Sequence, residues 1–468
     1  MLKMSINLIE YYKNYFMSKS LKKKLILISE LFLFTGTLVF IISNNLSLTT
    51  AMGLLIIAIL IPLFVLFPYY SLLLLIIVRN ATDIYTESIF INFFNIIHLN
   101  FSSILGILII VWAIYIFLKE KINLKKIPLS GAWFLFLGLS LISIFYSLNK
   151  MDSVRMFLKL LDFYFIYSLA YFYFTKYKSK KNYFLVAVMV AYILPVILGF
   201  YQIITKNGFI GPEGFNRIYG SFSHPNIFSF NLFFLFLILV LFYFKPLGKK
   251  FKKWNLLALI GVGILIIYTL TRSTWIATVI LLICLMWIYY SKKIPLYLFI
   301  LSLVIFVSFI LVNYTSVKYF NWNNINIICR AISPNDYMSS WDWRISTWTQ
   351  MTKYIYDSPL IGYGLDTYRF LREKQAYSPY ETSYYAHNDY LKILIELGIL
   401  GLLLYLNLIF QTLKKIFDQF QNTKEKRFLI SGIGLLLIFL IGAVDNILMA
   451  TSLQWMIWIY IAHLLSKE

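Results

Sequence analysis

His387 stands where the longest polar stretch of the chain gives way to an apolar run, within Tyr385-Ala386-His387-Asn388-Asp389-Tyr390. It is one of only four histidines, so its place at that boundary is a distinctive signal. An imidazole at the mouth of an apolar helix can take a proton from a hydroxyl that reaches it from water. Asn388 and Asp389 are residue types that cap helix N-termini, so the plainer role for His387 is an interfacial residue beside a cap. Two further stretches set charges among apolar neighbours. Thr269-Leu270-Thr271-Arg272-Ser273-Thr274-Trp275 places Arg272 in a tight turn between two apolar runs, where a charge is costly unless paired or hydrated. Such an arginine either snorkels to the interface or uses its planar fork on an anion such as a diphosphate. Asn216 to Asn226 frames a turn at Gly220 with Arg217 and His224, and Pro225-Asn226 opens an apolar helix.

The elements that must position these residues are membrane helices. Hydrophobic residues make up 60% of the 468, and apolar runs of about twenty residues recur, each long enough to cross a bilayer. The expected fold is all-α, a polytopic bundle of about twelve to fourteen spans, the lower count applying if Pro62 and Pro68 make a broken hairpin. The spans are read at 24–43, 51–67, 68–79, 100–118, 130–147, 156–175, 183–204, 226–244, 254–271, 273–290, 294–313, 388–413, 427–444 and 448–465. Three parts follow: an N-terminal bundle 1–313, an external loop domain 314–387 and C-terminal helices 388–468.

The formal net charge of +22 comes from lysines in short inter-helix loops, a topology signal rather than a nucleic-acid footprint. Clusters at Lys22-Lys23-Lys24, Lys119 to Lys126, Lys176 to Lys181, Lys245 to Lys253, Lys292-Lys293 and Lys414 to Arg427 fall on alternate loops. They put both termini in the cytoplasm and loops 44–50, 80–99, 148–155, 205–225, 271–273, 314–387 and 445–447 outside. Met1 to Lys24 is polar and basic, and the first apolar run is long enough to remain in the bilayer, so no removable signal peptide is expected. Cys284 in an apolar run and Cys329 in the long loop do not suggest a disulfide.

The long loop is rich in aromatics, which belong to its core, to the bilayer interface or against sugar rings. Residues 341–356 have helical spacing ended by Asp357-Ser358-Pro359, Gly362 and Gly364 make a bend, and a second short helix is expected over 365–375.

Four stretches make the chain resemble the O-antigen ligase and O-antigen polymerase superfamily of bacterial membrane glycosyltransferases. Arg217 to Asn226 is similar to its Arg-x-x-Gly-x-Phe-x-x-Pro-Asn segment, and Thr271-Arg272-Ser273 to its Ser-Arg-Gly turn, with the arginine kept. Trp343-Arg344-Ile345-Ser346-Thr347-Trp348 with Pro359 to Gly364 is similar to its Arg-x-x-x-Trp and Pro-x-x-Gly-x-Gly pattern. His387-Asn388 running to Glu396-Leu397-Gly398 is the most specific. The likeness covers about residues 180–468; before that only the spans agree.

The resemblance implies a fold like the C-type glycosyltransferases and a site facing outward from the cytoplasmic membrane. It also implies transfer of an oligosaccharide from undecaprenyl diphosphate to a hydroxyl of a glycan or glycolipid acceptor, without metal or cofactor. His387, Arg344 and Arg272 would be catalytic, and Arg217, His224, Asn226 and Asn388 would bind substrate. The residues agree with that chemistry. Asp342, Asp366 and Asp389 are scattered rather than spaced as metal ligands, no glycine-rich nucleotide loop stands out, and arginines suit a diphosphate leaving group. The partners expected are the lipid-linked donor, the acceptor and membrane lipid, with no nucleic acid. The competing function is a flippase for the same lipid-linked sugars. A transporter would more often show two similar halves and charges near the midplane, whereas here one loop dominates and the arginines gather at one face.

Overall fold

The computed structural model describes residues 55, 58, 60–85, 90–93, 97–210, 216–244, 249–289, 340–373 and 385–466. The expected spans 24–43 and 294–313, part of 51–67, the loop 44–50, the lysine clusters at 22–24 and 292–293, and residues 314–339 and 374–384 of the long loop lie outside them.

The chain divides into two compact units. The first takes residues up to 75 and 85–108. Its described part holds the helical residues 60–66, the beginning of α1 (Pro68–Ala81), an antiparallel hairpin of β1 (Phe90–Phe93) and β2 (Ile97–Asn100), and the beginning of α2 (Phe101–Lys119). Pro68 restarts the helix after a break at Phe67, which suits a residue with fixed φ and no N–H to satisfy.

The second unit takes residues 76–84 and 109–468. Its helices are α3 (Ser130–Tyr146), α4 (Lys150–Lys176), α5 (Tyr183–Ala191), α6 (Ile193–Thr205), α7 (Pro225–Phe244), α8 (Lys249–Tyr268) and α9 (Arg272–Tyr289). Three shorter ones, α10 (Ser340–Met351), α11 (Lys353–Asp357) and α12 (Tyr368–Glu373), belong to the long loop. The chain closes with α13 (Asp389–Thr423), α14 (Lys426–Ile441) and α15 (Thr451–Leu465). Among the described residues seven helical segments, α5 and α6 counted together as one, are long and apolar enough to cross a membrane, and the protein is a polytopic helical membrane protein.

All residues of α15 are buried, so it forms the axis on which α4 packs most extensively. α7 pairs with α8, and α13 lies against α14 and α3. Inside the bundle Trp455 Nε1 donates to Asp162 Oδ2 at 2.8 Å, a pairing that an apolar solvent favours.

Three boundaries differ from those expected. Residues 150–155 are not loop, because Asn149 caps α4 through Oδ1, accepting from Asp152 N at 3.3 Å, and the helix starts at Lys150. The span 183–204 breaks at Tyr192, and Pro195 in the following first turn supplies no N–H to continue the ladder. The last turn, expected at 445–447, widens to residues 442–450, between Ile441 and Thr451.

α13 is interrupted at Gly398, whose φ of +65° and ψ of −169° suit glycine alone. A straight helix would bond Ile399 N to Ile395 O and Leu400 N to Glu396 O. Here those four groups turn to the loop Pro359–Gly364. Ile399 N donates to Pro359 O at 2.8 Å, Leu400 N to Leu360 O at 3.3 Å, Tyr363 N to Ile395 O at 3.1 Å and Gly364 N to Glu396 O at 2.8 Å. A Cβ on Gly398 would lie 2.2 Å from the Leu360 backbone, so the loop fits only against glycine. α10 and α12 then seal over the joint with Met351, Tyr368, Leu371, Ala386 and Ile395 in one buried cluster. α12 lies within the expected 365–375 but is shorter, and residues 374–375 are outside the described residues.

Candidate functional site

The site is built from four chain turns: Arg217–Asn226, Thr269–Arg272, His387–Asp389 and Gly442–Ala450. Its centre is Asp445, with a side chain only 6% exposed. Asp445 Oδ1 lies 3.3 Å from His387 Nδ1, and Asp445 Oδ2 accepts from Asn226 Nδ2 at 2.9 Å. Asn226 Oδ1 in turn accepts from Arg217 Nη2. Arg217 also donates from Nε to Thr269 O at 2.8 Å and from Nη2 to Thr271 Oγ1 at 3.1 Å. One polar chain therefore runs from His387 through Asp445 and Asn226 to Arg217 and the turn that leads into Arg272.

Burial draws the Asp445 carboxyl upward. The hydrogen bond to His387, the charges of His387 and Arg344, and the Asn446 N–H outweigh it and hold the carboxyl below its ordinary range. An ionised carboxylate can only accept, so Nδ1 of His387 carries the hydrogen and Nε2 of the neutral ring keeps its lone pair. The backbone at His387 is held as well. Its φ is +46°, a left-handed conformation uncommon outside glycine, and its N–H donates to Asn446 Oδ1 at 2.9 Å. Trp343 of α10 sets its ring against the imidazole, with centroids 5.5 Å apart and planes at 79°.

His224 differs from His387. Its Nδ1 accepts from Asn226 N at 3.1 Å, so in the neutral ring Nε2 is the donor. Burial and the Arg217 and His387 charges, opposed by Asp445, bring it down to about 4, and it is neutral at pH 7. Phe209 covers it at 5.4 Å between centroids, placed there by the pairing of β3 (Phe209–Ile210) with β4 (Asn216–Arg217).

The arginines interact as a group. Burial lowers Arg217 to about 10, with Asp445 opposing and Arg344 adding to the effect. Burial also lowers Arg344, again opposed by Asp445 and reinforced by the charge of Arg272. Two guanidinium groups, Arg217 and Arg344, act on the one carboxylate and Arg272 acts on Arg344, which leaves an excess of positive charge, the character of an anion site. Arg272 is the first residue of α9 and is exposed; Arg344 is half-buried.

The expected site residues thus gather, with different duties. His387, His224, Arg217, Arg344 and Arg272 influence one another's charge. Asn226 spends both ends of its amide on Arg217 and Asp445. Asn388 caps α13, its Oδ1 accepting from Leu391 N at 3.0 Å. Asp389 is not a second cap: its Oδ2 reaches across to Leu448 N at 2.8 Å. Among the described residues no three His, Cys, Asp or Glu side chains converge as a metal site requires.

Asp445 is the residue that sequence reasoning missed. Its signal was the same one that marked Arg272, a charge in a short turn between two apolar runs. A second missed cluster lies beside the helix interruption. Lys392 Nζ is 2.7 Å from Asp366 Oδ1 and 3.1 Å from Glu396 Oε1, and the latter oxygen also accepts from Tyr368 N at 3.1 Å.

Residues 256–406 match the family described as O-antigen ligase. That range contains Arg272, Arg344, His387 and Asn388 and ends before Asp445. A protein of Rickettsia conorii, named as a presumptive polysaccharide ligase, is 28% identical over 148 residues. The match covers 28% of this chain and 33% of that protein; the chain spans about a third of the length of the curated relative it matches.

Proposed function

We propose that the protein is an extracytoplasmic glycosyltransferase of the cytoplasmic membrane. It transfers a saccharide from undecaprenyl diphosphate to an acceptor hydroxyl. The observation that carries this reading is the His387–Asp445 pair set within a group of arginines. Nε2 of His387 takes the proton of the acceptor hydroxyl as its oxygen attacks the anomeric carbon, and Asp445 accepts Nδ1–H and stabilises the imidazolium that forms. The bond from the anomeric carbon to the diphosphate oxygen breaks, and the departing charge goes to Arg344 and Arg272. Direct displacement inverts the anomeric configuration.

Arg217 is occupied by Thr269, Thr271 and Asn226, so its assigned duty is to fix the Arg272 turn and add charge. His224 offers Nε2–H to a substrate oxygen. Trp343 and Phe209, each against an imidazole, give apolar faces suited to sugar rings. The word ligase in the descriptions of the family and of the Rickettsia conorii protein favours delivery of a finished saccharide over chain extension. The outward orientation rests on the alternation of lysine clusters.

The test is reconstitution. Purified protein in lipid vesicles, given an undecaprenyl-diphosphate oligosaccharide and a core glycolipid, should form a glycolipid of higher mass and release the lipid diphosphate. Transport of the donor without a new glycosidic bond would favour the flippase reading.

A further inference from the structure

We infer that Asp83, gripped by Arg79, positions the His224 side of the site from the first quarter of the chain. Both residues lie far outside the part that resembles known ligases. Arg79 is in the last turn of α1 and Asp83 opens the short 3₁₀ turn that follows. Arg79 Nη1 meets Asp83 Oδ1 at 2.9 Å, with side chains 5% and 4% exposed. The other carboxylate oxygen, Oδ2, accepts from Ser223 N at 3.2 Å and from Ser223 Oγ at 3.3 Å. Two more bonds join the same segments: Ser221 Oγ donates to Asn80 O at 2.7 Å and Ile84 N to Ser221 O at 2.9 Å. Ser223 immediately precedes His224.

The opposite edge of the same loop is held by one side chain. Gln202 Oε1 accepts from Tyr219 N at 2.9 Å and Gly220 N at 2.8 Å, and its Nε2 donates to Gly220 O at 3.1 Å. The loop carrying His224 and Asn226 is therefore held from both sides, on one side by a buried ion pair. A buried pair contributes little net stability once its desolvation is counted, and its best-attested use is to specify one arrangement. Arg79 also sits over the Trp455 ring at 5.9 Å, which ties the clamp to the central helix α15. Asp83 is a positioning residue: it acts on substrate through Ser223 and His224.

This inference rests on the proposed function for its kinetic readout and on chemistry alone for its second. Asp83→Ala removes the acceptor for two hydrogen bonds. It should raise KM for the lipid diphosphate donor by roughly ten- to thirtyfold, with kcat within about threefold of wild type. Asp83→Asn keeps an acceptor for Ser223 but loses the ion pair, so its rise in KM should be smaller, about threefold. In parallel, diethyl pyrocarbonate modification read by mass spectrometry should label His224 several-fold faster in both variants. His463, buried in α15, should be unchanged. Wild-type KM and wild-type His224 reactivity in the folded variants would overturn the clamp, as would equal acceleration at His463, which would mean general loosening. If wild type turns over no lipid diphosphate donor, the proposed function fails, and His224 reactivity still decides the clamp.

Discussion

Asn226 and Asp445, 219 residues apart in sequence, share a hydrogen bond of 2.9 Å on the side of the carboxylate away from His387. That bond makes the orientation of Asp445 depend on the Arg217 loop as well as on its own turn. His387 is thereby coupled to two stretches of chain that sequence alone presents as separate.

His387→Ala should lower turnover by about 10²–10⁴-fold, the usual range for losing a general base. Asp445→Asn should fall in the same range while leaving donor binding intact, because an amide can present its NH₂ to Nδ1 and so favour the wrong tautomer. Turnover per folded molecule measures both. An Asp445→Asn variant within a few-fold of wild type would place the orienting group elsewhere.

Arg272→Lys and Arg344→Lys should each lose roughly 10²–10³-fold in kcat, because a point charge does not replace a planar fork on a developing diphosphate. Arg217→Lys should act differently: it loses the bonds to Thr269, Thr271 and Asn226, and its effect should be strongly non-additive with Asn226→Ala. A double-mutant cycle in which the two effects simply add would reject the shared chain.

His224 supplies a pH test. Its folded value near 4 lies below the ordinary 6.5, so between those limits the unfolded chain binds a proton that the native chain refuses. The stability contribution is fully present above about pH 6.5 and is lost as pH falls towards 4. Thermal midpoints in detergent should drop over that window, and His224→Asn should flatten the drop. Parallel profiles for the two proteins would contradict it. Since His224 keeps its charge state from pH 5 to 8, a limb in the activity profile there belongs to another group.

Lys392 joins two carboxylates beneath the long loop. Lys392→Met strands both and should cost about 3–5 kcal/mol. Lys392→Met with Glu396→Gln should cost less, because one of the stranded charges is gone. Unfolding in detergent, followed by tryptophan fluorescence, orders the variants; an equal or larger loss in the double variant would count against the triad.

The helices and the identity of the site turns were legible in the sequence because both leave local signals. Apolar length marks a span, and a charge or histidine at a span's edge marks a candidate turn. Arg217, Arg272 and His387 stood out that way, and Arg344 stood out as an isolated arginine within the long loop. Asp445 carried the local signal but its bond to Asn226 was not readable from it, and Asp83 was missed because its partner Ser223 is distant in the chain. Boundaries failed where one residue shifted an end, as Asn149 did by capping α4 early and Pro195 by splitting α5 from α6. Glu396-Leu397-Gly398 and Pro359 to Gly364 were read as two separate motifs. Only the fold shows that they are the two halves of one joint.

That joint has a consequence for how the protein is made. The loop that completes α13 precedes it in the chain, and in the proposed topology it must be exported before α13 can receive it. Until then, Ile395 to Leu400 can satisfy themselves as an ordinary straight helix. Docking exchanges two bonds within the helix for four with the loop. In that topology the joint closes only after export of the loop, so a chain still in transit has the span of α13 without its interruption.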